Sequence, residues 1–333
     1  MRQIRKGRLA LLLLAGMLGV AGSVSALDIK IASIAPENSP YGVALNQMAS
    51  EWQQISGGRV RVLIYHNGIA GDQSDVLRKM RFNQLQGGVF TNTAIAALVP
   101  EVLSVSVPFL VHNDAEFRYV MKDMRPILDK KLESQGFKAI AWAEAGWVKF
   151  FSKDQLLTPE QLKGDRLAVP PEQQDLLTTF KILGYRPVPL DMPETLSALN
   201  SGLVDVIFTS PLIVAGYQWF SAARYMLDMN IAPAIGTIVL TSRAWNQIPV
   251  QFRPEFQASA ARAGQKVENG ILKLENDAID AMKGYGLKIT QVTPEIRALW
   301  ETEFQHNYDS IIGPVFDAAT VKLVQDDLKA FRK

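Results

Sequence analysis

The chain has 333 residues, 48 % of them hydrophobic and 20 % charged, the profile of a folded globular protein of about two domains. Its formal charge is +2, but Arg2, Arg5, Lys6 and Arg8 fall within the first 26 residues, which hold no acidic residue, so the remainder is near −2 and offers no basic face for nucleic acid. Cysteine is absent, which excludes disulfides, thiolate metal sites, iron–sulfur clusters, cysteine nucleophiles and a lipidated cysteine. The histidines His66, His112 and His306 are far apart, with no HExxH, and read as surface or core residues; no metal or cofactor is expected.

In chain order, a basic start (2–8) leads into the apolar run Leu9–Gly22 and then Ser23-Val24-Ser25-Ala26, the three-part pattern of a secretory signal peptide with cleavage after Ala26. The run is short for a membrane span, so the chain from Leu27 is expected to be exported and soluble, in a bacterial periplasm. Ile29–Ile34 reads as a strand and Pro40–Ile55 as a helix stopped by Gly57-Gly58. Val60–Tyr65 is a second strand, Asp72–Asn83 a helix and Gly87–Thr91 a third strand. Lys138–Ala143, Arg166–Val169, Arg186–Leu190 and Val204–Thr209 are further strands, with a short helix Glu194–Asn200 ended by Gly202. Strands separated by helices predict parallel α/β sheets. From about Pro254 to Lys283, apolar Val267, Ile271, Leu274, Ile279 and Met282 share a helical face. This is either one helix of about 40 Å lying across two lobes or two ordinary helices broken at Gly270. No flexible linker stands out, so the chain is expected to cross between lobes more than once.

Signatures of catalysis are missing. There is no GxSxG elbow, no Walker A loop and no strand-to-helix GxGxxG in the mature chain. Asp205 lies in an apolar strand, VDVIF, and is expected to serve a turn or strand end. A periplasmic enzyme using Glu144 and Asp205 is the reading from another class, with no motif behind it. An exported two-lobed α/β protein without reaction machinery fits a binding protein that closes over a ligand between its lobes.

The segments LTPEQLKGDRLAVP (Leu157–Pro170) and LGYRPVPLDMPETLSALNSGLVDVIFTSP (Leu183–Pro211) resemble the solute-binding subunit of tripartite ATP-independent periplasmic (TRAP) transporters, the DctP type. IKIASIAPENSPYGVALNQMASEW, YHNGIAGDQSDVLRKMRFNQLQGG and VPEVLSVSVPFL resemble earlier parts of the same family, in order. The resemblance implies two α/β lobes joined by crossing strands, with a long helix spanning both. It places one lobe at 27–145 plus 235–273, the other at 146–234 plus 274–310, and a C-terminal helix (311–333) packing back on the first. It also implies a small-molecule ligand, handed to a small and a large membrane permease subunit under an ion gradient.

Two family arginines that grip organic acids are replaced: the strand after the LKG phrase carries Ala168, and the phrase Gly146-Trp147-Val148 carries Val148. A carboxylate buried without a cationic partner is strongly disfavoured. Arg166 is a surrogate on the same strand face as Ala168, or else a surface residue at the strand start. The candidate pocket is instead aromatic and hydroxyl-rich. Its expected contacts are Asn38, Ser39, Tyr41, Thr91, Asn92, Trp142, Trp147, Phe208, Thr209, Ser210, Trp219 and Thr237, with Glu144 open to a ligand donor or to a salt bridge with a surface lysine. This points to a weakly polar or hydrophobic solute. An organic acid held by Arg166 or by backbone donors is the alternative. TSPLIVAGYQWF (Thr209–Phe220) is similar to a subgroup that lacks the arginine and works with a tetratricopeptide-repeat partner.

Overall fold

The computed structural model describes residues 26–171 and 173–333; the leader reading falls on residues outside these. The first lobe begins with β1 (Leu27–Ala32), α1 (Pro40–Ile55), β2 (Val60–Tyr65), α2 (Gln73–Arg81) and β3 (Gly87–Thr91). After a 3-10 segment (Pro100–Ser106), α3 (Asp114–Ser134) leads into β4 (Phe137–Ser152). The second lobe holds α4 (Pro159–Gly164), β5 (Arg166–Val169), α5 (Gln174–Ile182), β6 (Arg186–Pro189), α6 (Thr195–Ser201), β7 (Val206–Thr209), α7 (Pro211–Gly216) and β8 (Tyr225–Leu227). The chain returns through β9 (Ala232–Thr241), then α8 (Arg253–Gly284), β10 (Lys288–Thr290), α9 (Pro294–His306) and α10 (Ala318–Phe331).

The sheet order is β2-β1-β3-β9-β4-β7-β5-β6, with β8 joining β4 to β10. The expectation of parallel sheets holds for β1–β2, β1–β3, β5–β6 and β5–β7. It fails where the lobes join, since β9 runs antiparallel to both β3 and β4, and β4 antiparallel to β7. A strand that returns to its starting lobe beside the strand that left it must run the opposite way. The predicted strand Lys138–Ala143 is the first part of a 16-residue strand. Almost all of its residues are buried, so no alternation of apolar and polar residues marked its length.

Helix α1 forms where Ser39 caps it, accepting from the Gly42 N–H, with Pro40 pre-set for the first turn. Its buried stripe includes Ala44, Leu45, Met48 and Trp52. Trp52 stacks on Phe256 of α8 at 4.2 Å and donates its indole N–H to the Phe256 carbonyl, fixing one helix on the other. Helix α8 is one unbroken element of 32 residues, about 48 Å long. Gly270 does not break it: a Cβ there would stand 3.1 Å from Pro40, so the glycine allows the start of α1 to approach. Helix α10 packs on α3 and the Pro100–Ser106 segment, where Ser104 and Thr320 hydroxyls meet at 2.7 Å and Arg332 clasps Glu116. Among the described residues no helix is long and apolar enough to cross a membrane.

Candidate functional site

The strand registers locate a cleft. In the first lobe Thr91, the last residue of β3, is level with Gly236, which is level with Ala143. In the second lobe Thr209, the last residue of β7, is level with Lys149. The carboxyl ends of the parallel strands of both lobes therefore point at one stretch of β4, residues 143–149. Ligands of open α/β sheets sit at such strand ends. Within the stretch the ladder slips, two residues of β4 between Glu144 and Trp147 facing one of β9 between Ile235 and Pro233. Gly146 makes the slip possible. Its φ is +96°, and a Cβ there would meet Glu275 Oε1 at 2.3 Å.

Apolar side chains stand at several of these strand ends. Tyr65 at the end of β2, Val148 on β4 and Phe208 near the end of β7 are half-buried and pack on the core cluster that contains Trp142, Trp147 and Phe150. Phe208 lies 5.3 Å from Phe150 and 5.5 Å from Phe180, ring to ring. Thr209 and Ser210 are half-buried at the same strand end, Ser210 preceding the first residue of α7.

Other predicted contacts are held by the scaffold. The Thr91 hydroxyl caps the short helix after β3, and Asn92 donates to the Ser106 hydroxyl, which itself donates to the Pro233 carbonyl. The buried Thr237 hydroxyl donates to the Ala141 carbonyl. Ser39 is committed to its helix cap, Asn38 is exposed, and the Tyr41 hydroxyl donates to the Ala145 carbonyl in the floor of the cleft. Burial and the nearby Glu275 push the Tyr41 hydroxyl well above its ordinary range. Trp219 lies apart, buried in the second-lobe cluster with Phe151, Ile207 and Met282. Ala168 is buried in that cluster too.

Arg166 is placed at the opposite end of β5 from the cleft, exposed, with two prongs on Asp205. As the first residue of a four-residue strand whose last residue marks the cleft level, it has no path to a ligand there. Asp205 lies just before β7, so Glu144 and Asp205 form no catalytic pair.

Glu144 is only 2 % exposed, and Oε1 has no hydrogen-bond partner among the described residues. Burial, and then the Asp114 carboxylate beside it, push its carboxyl up to about 8. Trp147 donates its indole N–H to Asp114 Oδ1 at 2.8 Å, and Trp142 does the same to Asp129. From α8, Glu268 Oε1 accepts from the Glu144 N–H at 3.2 Å and Glu275 Oε1 from the Trp147 N–H at 3.4 Å. Burial raises Glu275 to about 7, opposed by the Trp147 N–H and by Lys149. Lys149 is itself buried, which lowers its value, and its ammonium donates to Asn230 at 3.0 Å with Asp228 at 3.5 Å. Sequence reading missed Asp114, Glu268 and Glu275. The signal for the last two was an acidic residue recurring after seven positions beside the apolar stripe of α8, a spacing that returns to one helix face.

An open groove of about 810 Å³ lies elsewhere, on the second lobe, lined by Phe220, Arg224, Met282, Tyr285 and Lys288 among others. None of the expected ligand contacts lines it.

Comparison with known proteins accounts for this architecture. The model of the DctP family, bacterial extracellular solute-binding proteins of family 7, matches residues 31–313. A solute-binding protein of Verminephrobacter eiseniae is 28 % identical over 249 residues, 73 % of this chain and 72 % of the relative. The 2,3-diketo-L-gulonate-binding periplasmic protein YiaO of Escherichia coli is 20 % identical over 269 residues, 80 % of this chain and 82 % of its own. A TRAP periplasmic solute-binding protein of Chromohalobacter salexigens, solved with D-glucuronate, superposes with a TM-score of 0.80 at 19 % identity, covering 91 % of this chain and 99 % of that one. One from Haemophilus influenzae, solved with L-gulonate, superposes with a TM-score of 0.80 at 18 % identity over the same shares. The two-lobed fold, the crossing strands β4 and β9, the long α8 and the family match agree, and the chain belongs to the DctP family of TRAP periplasmic solute-binding proteins.

Proposed function

We propose that this protein captures a weakly polar or hydrophobic small molecule in the cleft over residues 143–149 and delivers it to a two-subunit membrane permease. The observation that carries the reading is the pair Val148 and Ala168 at the positions where the family resemblance implies arginines, with Arg166 already spent on Asp205. The related proteins solved with D-glucuronate, β-D-galacturonate, L-gulonate and succinate hold carboxylates. A carboxylate is held well only where a cation with free donors meets it. In this stretch the buried cation is Lys149, already bound to Asn230. Half-buried Val148 and Phe208 supply apolar surface in its place.

The lobes of this reading are 27–145 plus 235–273 and 146–234 plus 274–310, closing about the slip at Gly146. A tetratricopeptide-repeat partner rests on the Thr209–Phe220 segment, and co-purification from its own cell envelope tests it. Export with cleavage after Ala26 predicts a mature chain starting at Leu27, which the intact mass of the periplasmic protein tests.

The decisive test is mass spectrometry of small molecules released when natively purified protein is denatured. A hydrophobe or a molecule with a single polar group is expected. Release of a sugar acid or dicarboxylate, or a melting-temperature rise with D-glucuronate or succinate, overturns the reading in favour of the organic acid.

A further inference from the structure

Glu144 is an expensive residue to keep where it is. Removing a carboxyl group from water without a partner costs on the order of several kcal/mol, yet here Oε1 is left bare at 2 % exposure. Its neighbours make the environment more acidic. Asp114 stands beside it from the first turn of α3, and Glu268 and Glu275 approach the same strand segment from α8. Of the cations near it among the described residues, Lys149 is turned to Asn230 and Asp228, and Arg125 donates to the Trp142 carbonyl at 3.5 Å. Of two adjacent carboxyl groups one keeps its proton unless another cation stands in for it. Among the described residues no group of side chains is arranged to hold a metal ion. In the ligand-free protein the proton that Glu144 holds meets this need, and a ligand cation can take its place.

The position suits a ligand. Glu144 shares its strand face with Trp142, whose partner across the ladder is Thr237, and it lies one step into the stretch at which both sets of strand ends point. Trp147 ties Asp114 in place through its indole N–H on Oδ1, and Asp114 is half-exposed beside Glu144. Val148, within the stretch, and Phe208, level with Phe150 just beyond it, supply half-buried apolar surface there.

We infer that the cleft ligand is an amine: an apolar or aromatic body seated against Val148 and Phe208, with a protonated nitrogen donating to Glu144 Oε1 and to Asp114. The ammonium takes the place of the proton that the two carboxyl groups otherwise share, and that proton leaves to solvent. The inference rests on the interlobe capture proposed above and narrows its ligand to a cationic class, opposite in charge to the acids bound by the related structures.

The test measures binding of three probes of similar shape to the full mature chain by calorimetry: 2-phenylethylamine, 2-phenylethanol and 3-phenylpropionate. The amine is expected to bind at least about tenfold tighter than either of the others, as for a charge-assisted pair in a dry site. Glu144→Gln, and separately Asp114→Asn, are expected to abolish that preference while circular dichroism and melting show a folded protein. A preference for 3-phenylpropionate, no measurable binding of the amine, or an amine preference that survives both substitutions overturns the inference. Mass spectrometry of the released native ligand separates the two claims. A nitrogen base supports both, a nitrogen-free hydrophobe leaves interlobe capture standing and removes the amine, and a sugar acid removes both.

Discussion

Arg166 closes on Asp205 with Nε at 2.8 Å from Oδ2 and Nη2 at 2.9 Å from Oδ1, joining the amino ends of β5 and β7 on the side of the second lobe away from the cleft. The guanidinium holds the Asp205 carboxyl below its ordinary range against the opposing effect of burial. The pair is an exposed brace between adjacent strands, and such pairs contribute little. Arg166→Ala is expected to lower the melting temperature slightly and to change ligand affinity by less than about twofold, as measured by calorimetry with the native ligand. A large loss of affinity would move Arg166 into the binding site.

The two positions of the missing arginines respond differently to their restoration. Val148 is half-buried at the cleft, so Val148→Arg is expected to create affinity for a small carboxylate such as succinate, by about tenfold or more over the parent. Ala168 is 7 % exposed within an apolar cluster, so Ala168→Arg buries an unpaired charge and is expected to cost about 3–5 kcal/mol in urea unfolding. It should also weaken an apolar ligand. A stable Ala168→Arg protein with unchanged ligand affinity would show that β5 is wrongly placed.

Gly146 joins two constraints at one residue, a left-handed backbone and the close approach of Glu275. Gly146→Ala is expected to destabilise by about 1–3 kcal/mol. Adding Glu275→Ala should recover part of that loss, because the contact is relieved while the backbone strain remains; a double-mutant cycle in urea reads the coupling. Full additivity of the two changes would remove the contact from the account.

The buried carboxyl groups set a pH dependence whose sign follows from linkage. Glu144 rises from 4.5 to about 8 in the folded protein and Glu275 from 4.5 to about 7. Each therefore holds its proton more tightly folded than unfolded. Their contribution to stability is complete below about pH 4.5 and is lost as pH rises through these folded-state values. Urea midpoints of the ligand-free protein are expected to fall between pH 5 and pH 8, with a combined loss on the order of 5 kcal/mol across that range. Glu144→Gln should flatten the slope. A midpoint that rises with pH over the same range, in parent and variant alike, would show that neither group is buried as described.

Much of this molecule was legible in its residues because the relevant physics is local. The helix Pro40–Ile55 was predicted to its ends, since Pro40 and the Gly57-Gly58 stop act within a turn of where they stand, whereas the Ser39 cap, read as a ligand contact, was shown by the fold. The strands Val60–Tyr65, Gly87–Thr91 and Arg166–Val169 were likewise predicted to the residue, and Gly202 ends its short helix as expected, in the left-handed conformation. Asp205 serves a strand end, as the apolar run around it indicated. The family resemblance rested on ordered phrases, and those survive at low identity. Tertiary structure decided the rest. Only the fold set β9 antiparallel between β3 and β4, because strand direction depends on which lobe the chain must return to. Only the fold showed that Arg166 and Asp205, 39 residues apart, are partners, and that Trp142, Trp147, Thr91 and Thr237 spend their polar atoms on the scaffold. The acidic surroundings of Glu144 were hidden for the same reason. Asp114, Glu268 and Glu275 come from separate elements, and a carboxyl group's solvation is a property of what packs around it, which no stretch of neighbouring residues encodes.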